Sequence, residues 1–535
     1  MNKLISLNAI LFLMILFFGV FPWYMLILTI AQLLYVPFIL HLVLEKESRF
    51  RNYYFVIGIP AFASVAILNM TDHTSWDGIL AAVYFLYTML IALYGFHRFL
   101  HRGFTNLEEF SINMGLMYIT IGGAWFFAFE AGITTGFSPL ITSLTAIHFH
   151  YSAFLLPIFV GFLGRLYKTK LYHLVTIIML VSPIIVALGI TFSVWLEVLS
   201  VLIYIVGIYC LMVLISKTSF HNLLQKWLVG ISFGSIAVTI LFSLSYALGN
   251  LVGNSFVTID FMLKFHGIIN SIFFGLIGIM AWWIHTPNSK ERPKRFPVSR
   301  IRGKWKIGES VLEGKMVSGY EHRYSGLVDS MKMYEPDINV DTLAPSVIDF
   351  YENTNEYQLF AEVKWRIWFK PFAALYRQIS RNVQQINLPV SNERLEMTGD
   401  IYSIDDELDG RKNVRAWMRK VKDDVTFVAL YSSHFNNEQS RTYMNIALPL
   451  PWAAMVGILE LSQQGKALRL SSKREMNPNA DSGVFLTFRK YLFKLPLEEQ
   501  FDVKEVREGV MEAQHRMWIF TLPFLEINYK IHRRV

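Results

Sequence analysis

Apolar runs of about 18 to 25 residues, the length a helix needs to cross roughly 30 Å of hydrocarbon, recur in this chain from Leu4 to Ile284 and then stop. This feature limits the fold more than any other, because backbone polar groups in hydrocarbon must be satisfied within the segment itself. The candidate spans cover residues 4–21, 23–44, 53–70, 78–98, 112–133, 139–164, 171–192, 194–215, 227–249 and 260–284. The reading predicts an all-α transmembrane bundle of about ten helices over residues 1–286. A polybasic juxtamembrane linker over 287–309 and an α+β domain over 310–535, dominated by an antiparallel β-sheet or partial barrel, are expected to follow.

Lys and Arg concentrate in the termini and in alternate connections, at Lys3, Lys46, Arg49, Arg51, Arg98, Arg102, Arg165, Lys168, Lys170, Lys217 and Lys226. The opposite connections, "NMTDHTSWDG" (69–78), "GITTGFS" (132–138) and "GNLVGNSFVTID" (249–260), have neither. The positive-inside rule therefore expects both termini in the cytoplasm. Lys264 is the exception, near enough to the outer headgroups to snorkel. The first apolar segment reads as a retained span, since no small-residue cleavage site follows it. A lone Cys210 leaves no internal disulfide and no thiolate zinc site.

After Ile284 the sequence becomes "HTPNSKERPKRFPVSRIRGKWK". Lys290, Arg292, Lys294 and Arg295 fit the positive-inside rule, and they also suit contact with membrane lipids of the anionic inner leaflet. The segment "WRIWFKPFAALYRQI" (365–379) interleaves aromatic and basic residues, so it reads either as a membrane-surface helix or as a packed core helix, with Pro371 kinking or ending it. Beyond Arg394 the pattern alternates. The stretches 425–435, 466–475, 483–493 and 524–534 read as antiparallel strands in a sheet of roughly six to nine. In the last, Leu525, Ile527, Tyr529 and Ile531 share the face expected to point into the core.

Phosphate-loop, dinucleotide-fingerprint and HExxH motifs are missing, which takes away the usual signatures of nucleotide-driven transport and of zinc hydrolases. The +8 formal charge is accounted for by the basic loops and linker, so no nucleic-acid partner is expected. Polar residues inside the spans are costly and by default face the bundle interior. Glu130, His148, His150, Glu197, His266 and Asn270 form the candidate intramembrane polar pocket, all in the outer half, with Asp72 and His73 in the first large outer connection. His266 lies about 9 Å below the outer edge at 1.5 Å per residue. On a regular helix His148 and His150 point in opposite directions, so one can meet His266 while the other contacts a different helix or a carbonyl. Asn270, four residues after His266, can orient the imidazole.

Three readings are open for these histidines. They bridge helices by hydrogen bonds; they hold a cofactor, haem iron or copper, with His148, His150 and His266 as metal ligands and a carboxylate nearby; or they join Glu130 and Glu197 in a proton or solute pathway. His97 and His101 read as interfacial residues. The first function hypothesis is a sensor, transporter or scaffold with an outer-half polar pocket and a cytoplasmic domain that contacts lipid or a partner. The alternative is a haem- or metal-dependent membrane redox enzyme.

At "LTAIHFHYSAF" (144–154), "GGAWFFAFEAG" (122–132) and "KFHGIINSIFFGLIGIMAWW" (264–283) the chain resembles the YndJ-like family of bacterial multi-span membrane proteins. The tail, with "YLFKLPLEEQF" (491–501) and "AQHRMWIFTLPFLEINYKI" (513–531), resembles a domain found alone and fused to such membrane regions. The resemblance implies a bacterial plasma membrane and two separable domains, and it brings no reaction with it. In the tail, His515, Arg516, Glu498, Glu499 and Glu526 read as rim or solvated positions, or as groups around an apolar interior that holds a lipid or isoprenoid.

Overall fold

The computed structural model describes residues 2–44, 50–254, 256–289, 296–316, 324–422, 424–473 and 480–534. The chain divides into two compact units, Met1–Leu100 with Asn106–Lys290, and Glu291–Val535 with His101–Thr105.

The first unit is a helical bundle. Among the described residues nine helices are long and apolar enough to cross a membrane. These are α2 (Met25–Val43), α3 (Phe50–Met70), α4 (Asp77–Arg102), α5 (Leu107–Glu130), α6 (Pro139–Leu166), α7 (Lys170–Phe192), α8 (Val194–Lys217), α9 (Leu223–Val252) and α10 (Ile259–Ile284). The expected first span is a shorter helix, α1 (Asn2–Phe18), which at 1.5 Å per residue reaches only about 25 Å.

Polar side chains start several of these helices where the sequence leaves the apolar run. Ser138, Thr169, Ser193, Asn222 and Thr258 each accept a hydrogen bond from a backbone N–H in the first turn of the helix they precede, satisfying a donor that has no intrahelical partner. Gly253, at φ 71°, closes α9 in the left-handed region that a side chain would resist.

Helix α6 fills the centre, with Phe154, Phe159 and Phe162 fully buried against Tyr35, Phe233 and Trp282. Outward positions such as Leu93, Leu174 and Val206 are exposed apolar side chains, as a lipid-facing surface requires. Helices α2, α6 and α10 each contain π-helical turns, at Ala31–Tyr35, Phe149–Leu155, and Met262–Gly267 with Asn270–Leu276. Such turns free carbonyls from the helical ladder and gather at functional sites.

The second unit is a barrel, and it exceeds the expected six to nine strands. Twelve strands are present among the described residues: β1 (Tyr357–Trp365), β2 (Arg394–Ser403), β3 (Arg415–Val421), β4 (Asp424–Asn436), β5 (Arg441–Leu450), β6 (Ala453–Gln464), β7 (Ala467–Ser471), β8 (Gly483–Phe488), β9 (Tyr491–Lys494), β10 (Leu497–Arg507), β11 (Val510–Ile519) and β12 (Leu522–Arg533). They are antiparallel in the order β5-β4-β3-β2-β1-β12-β11-β10-β7-β6, and β6 pairs back to β5. Ten strands thus close on themselves, which removes the sheet edges. Strand β8 shares an edge of β6 with β7 and carries β9.

Leu525, Ile527, Tyr529 and Ile531 of β12 are buried on the inner face, the face their alternation assigns to the core. Strands β3 and β4 are buried on both faces. Trp417 and Ala429 point into the barrel, while Met418, Val428 and Leu430 pack outside under Phe296, Ile301, Ile307 and Leu312. The described part of the expected linker, from Phe296 onward, therefore belongs to the core of this unit. Lys290, Arg292, Lys294 and Arg295 lie outside the described residues. Pro371 does not break a helix; it sits in the first turn of α12 (Lys370–Val383), which follows a short helix α11 (Pro345–Glu352), at a position where its missing N–H costs nothing.

Asp502 ties three neighbouring strands together on the outer face. It accepts hydrogen bonds from Arg469 Nε of β7 (2.6 Å), Arg516 of β11 (2.6 Å) and Gln500 (2.7 Å). Burial alone would raise its pKa, but the hydrogen bonds from Arg469, Gln500 and Arg516 hold it below the usual carboxylate value. A carboxylate depressed in the folded state stabilises the fold above its unfolded pKa near ~4, and that contribution is lost as pH falls through the lower folded value. Asp502→Asn is therefore expected to cost about 1 kcal/mol at neutral pH, and to cost progressively less in denaturant titrations carried below about pH 4.

Candidate functional site

The end of the bundle formed by the start of α4 and the end of α5 brings three potential metal ligands together. In the turn before α4, Thr74 donates to Asp77 through its N–H (3.0 Å) and its hydroxyl (2.7 Å), which fixes the carboxylate at the helix start. His73 Nδ1 lies 2.6 Å from Asp77 Oδ2. Its ring packs edge-on against Phe21, at 5.8 Å between centroids, and its side chain is 69% exposed whereas that of Asp77 is 5% exposed.

Glu130 ends α5 beside them. It is 6% exposed, and its Oε2 is buried without a hydrogen-bond partner. One ligand atom from each of His73, Asp77 and Glu130 lies within 4.8 Å of the others. The helices come close here: a Cβ on Gly78 would stand 3.3 Å from Ala131 Cβ. A buried carboxylate oxygen with no partner is costly, and a cation between the three groups would satisfy it. Ligands sharing one metal stand about 3 Å apart, so rotamer adjustments of an ångström or two close the set.

The remaining sequence candidates have separate partners. His148 of α6 faces His266 of α10, with ring centroids 6.5 Å apart. Each turns Nδ1 to a carbonyl, His148 to Leu144 (2.7 Å) and His266 to Thr239 (3.1 Å), which leaves Nε2 of each to act elsewhere. Thr239 also donates to Asn270 Oδ1 (2.8 Å), so Asn270 reaches the imidazole of His266 through Thr239. His150 turns away. Its Nε2 is 2.9 Å from the Tyr84 hydroxyl and its Nδ1 is 2.8 Å from the Ala146 carbonyl, so both nitrogens are occupied. Glu197 meets Asn250 Nδ2 at 3.3 Å. The helix carrying His148 and His150 is not regular as expected, because π-helical turns begin at Phe149.

Two polar clusters escaped the sequence reading. Glu109 of α5 is 1% exposed and accepts hydrogen bonds from Arg98 (2.8 Å) and twice from Arg165 (2.7 and 3.0 Å). Arg98 also bonds Asn113 and the Val43 carbonyl, and Arg165 bonds the Pro287 carbonyl. This network joins α2, α4, α5, α6 and the chain after α10 at the end of the bundle opposite His73. Where the π-helical turns meet, Tyr35 donates to the Ser271 carbonyl (2.7 Å), and Tyr151 bonds the Ile27 carbonyl and the Ser271 hydroxyl (both 2.8 Å).

Comparison with known proteins sets this architecture in a family. Residues 26–274 match the family described as YndJ-like protein. The chain is also 36% identical over 500 residues, 92% of its own length and 90% of the other's, to the "Uncharacterized membrane protein YndJ" of Bacillus subtilis (strain 168). The chain belongs to the YndJ-like family. It is a multi-pass bacterial membrane protein with a C-terminal antiparallel barrel domain. No solved structure matches it.

In the barrel of this YndJ-like chain, two of the polar residues singled out in the tail are near the interior. His515 Nε2 is 3.2 Å from Glu499 Oε2, and its ring stacks on Phe501 at 3.7 Å. The others face outward into ion pairs, Arg516 with Asp502 (2.6 Å), Glu526 with Arg366 (3.9 Å) and Glu498 with Lys473 (4.0 Å), as single charges beside strands ordinarily do.

Proposed function

We propose that this YndJ-like protein is a metal-dependent membrane protein whose centre is formed by His73, Asp77 and Glu130. The observation that carries the reading is the buried, unpartnered Glu130 oxygen beside an imidazole and a second carboxylate. One nitrogen and two oxygen donors from three residues suit zinc, manganese or ferrous iron, with positions left over for water or substrate. The identity of the metal separates Lewis-acid chemistry from redox chemistry. The distribution of Lys and Arg supports an orientation with this end of the bundle on the outer face of the cell membrane and both termini in the cytoplasm.

Elemental analysis of the protein extracted in mild detergent tests the proposal. About one equivalent of metal per chain is expected, and none in a His73→Ala, Asp77→Asn, Glu130→Gln variant. A metal-free wild type, or a variant that keeps its metal, refutes it.

The histidine pair supports a second reading, the haem or copper site with His148 and His266 as ligands. Two imidazoles on opposite sides of one metal would have ring centroids about 6 Å apart, and the observed 6.5 Å is close to that. His150 has no nitrogen left for such a site.

Membrane lipids are the partner best supported for the second unit. Helix α12 and the residues before it carry an exposed apolar face, with Ile367, Trp368, Phe372, Leu375 and Ile379 all exposed and Arg366, Lys370, Arg377 and Arg381 beside them. A basic amphipathic helix of this kind lies in the interface of an anionic bilayer. With an environment-sensitive fluorophore on Leu375→Cys in a Cys210→Ser background, reconstitution into vesicles containing phosphatidylglycerol is expected to shift emission to the blue and allow quenching by brominated lipid. Water-like, unquenched emission would contradict this placement.

A further inference from the structure

The ring of strands encloses an apolar cavity of about 130 Å³. Its wall includes Trp417, Phe427, Tyr431, Ile446, Phe501 and Tyr529. Arg419 and the Glu499–His515 pair interrupt that wall. Arg419 of β3 lies with its guanidinium carbon 4.5 Å from the Trp417 ring centroid and 4.4 Å from that of Phe427, and its Nε is buried without a hydrogen-bond partner. Among the described residues no carboxylate comes within ion-pair distance of it; the nearby interior acid, Glu499, is committed to His515.

A guanidinium has fixed donors and stays charged at any physiological pH. Placing one in an apolar cavity is unfavourable unless an anion or strong acceptors complete its shell. The two aromatic faces offset part of that cost through cation–π attraction, but they cannot accept the Nε–H bond in the plane of the group. The cavity therefore contains one donor, the Arg419 Nε–H, without an acceptor, in a wall that apart from the Glu499–His515 pair and the tyrosine hydroxyls suits hydrocarbon. Size narrows the ligand further. A cavity of roughly 150 Å³ accommodates a benzene ring, so this one has room for one ring or a short alkyl chain of about six carbons, and the long chains of a phospholipid do not fit.

We propose that the barrel binds a single-chain anionic amphiphile, its carboxylate or phosphate head held by Arg419 and its tail among the apolar side chains of the interior. Binding is non-covalent and independent of the metal centre proposed above. The Tyr431 and Tyr529 side chains are also in the cavity wall; the Tyr529 hydroxyl lies against the Arg419 guanidinium, so the head group meets a second polar group beside Arg419 while the Nε–H remains the donor without an acceptor.

The experiment uses the full chain in lipid nanodiscs with three photoactivatable probes that share a short diazirine tail of about five carbons: a carboxylate, a phosphate monoester and a neutral alcohol. Cross-linked peptides are mapped by mass spectrometry. The carboxylate, the phosphate or both are expected to label interior residues of β3, β5 and β12, with whichever labels more strongly identifying the head group, and the alcohol is expected to label about tenfold less. Arg419→Met should reduce labelling by the anionic probe about tenfold and leave the alcohol unchanged. Ala429→Phe, which keeps Arg419 but fills the cavity, should abolish labelling by all three, with unfolding curves confirming that each variant is folded. Anionic probes that label only the bundle or the outer face of the barrel, or that label Arg419→Met as strongly as the wild type, would overturn the proposal. So would equal labelling by the alcohol and the anions.

Discussion

Replacing Glu109 by alanine is expected to destabilise the bundle by about 3 to 5 kcal/mol, the cost of leaving buried charge without its partner. Two guanidiniums, Arg98 at 5% and Arg165 at 7% exposure, converge on this one carboxylate. Without it they face each other as like charges inside a helical bundle. Asn113 Oδ1 and the Val43 and Pro287 carbonyls, which these guanidiniums also bond, are neutral acceptors and do not replace the carboxylate's charge. Glu109→Gln should be milder than alanine, since the amide oxygen still accepts one hydrogen bond although the charge is gone. Arg98→Met alone should cost less than either, because it leaves one cation still paired to Glu109 through two hydrogen bonds from Arg165. Thermal unfolding of the purified variants gives the order directly, and a Glu109→Ala variant as stable as the wild type would mean that the network contributes nothing.

The largest functional effect is expected at Asp77. Asp77→Asn should weaken metal binding by 10- to 100-fold or more, beyond the effect of His73→Ala, because Asp77 acts twice. It offers a ligand oxygen to the centre, and it holds the turn that presents His73 through the hydrogen bonds from Thr74. Loss of a residue that orients a ligand typically costs that much affinity by itself. Thr74→Val separates the two contributions, since it keeps the Asp77 ligand oxygens while removing the hydroxyl that donates to Asp77 Oδ1 and accepts from the Trp76 N–H, and it should fall between the wild type and Asp77→Asn. Competition with a chelator of known affinity measures all three. Equal affinities across the series would show that the metal, if present, is held elsewhere.

The spans were legible because each is an apolar run whose length matches a bilayer, and hydrocarbon tolerates little else. The inward face of β12 was legible for a similar reason, since Leu525, Ile527, Tyr529 and Ile531 alternate strictly with polar residues. Closure of the barrel was not. It depends on pairings such as β1 with β12, where Tyr357 stands opposite Arg533, and no local pattern signals a partner that far along the chain.

At the candidate site Glu130 stands out in sequence as a carboxylate at the end of a span and His73 as a titratable residue at the same level, whereas Asp77 sits in a polar connection and looks like an ordinary helix-starting residue. The spacing His73 to Asp77, one helical turn, was the available signal. Arg98 and Arg165 were counted as topology markers on account of their charge. Their burial follows from Glu109, a carboxylate near the start of α5, and sequence alone gave no reason to join the three. The π-helical turns in α2, α6 and α10 leave no compositional trace, so the facing of His148 toward His266 and of His150 toward Tyr84 had to come from the structure.

For a metal held among His73, Asp77 and Glu130, X-ray absorption at the edge of the bound metal reads the ligands without an intermediary. One imidazole with oxygen donors at about 2.0 to 2.2 Å is expected, with the imidazole scattering lost in His73→Ala and retained in His148→Ala. A shell of two imidazoles that survives His73→Ala and is lost in His148→Ala would contradict that assignment and move the centre to the His148–His266 pair.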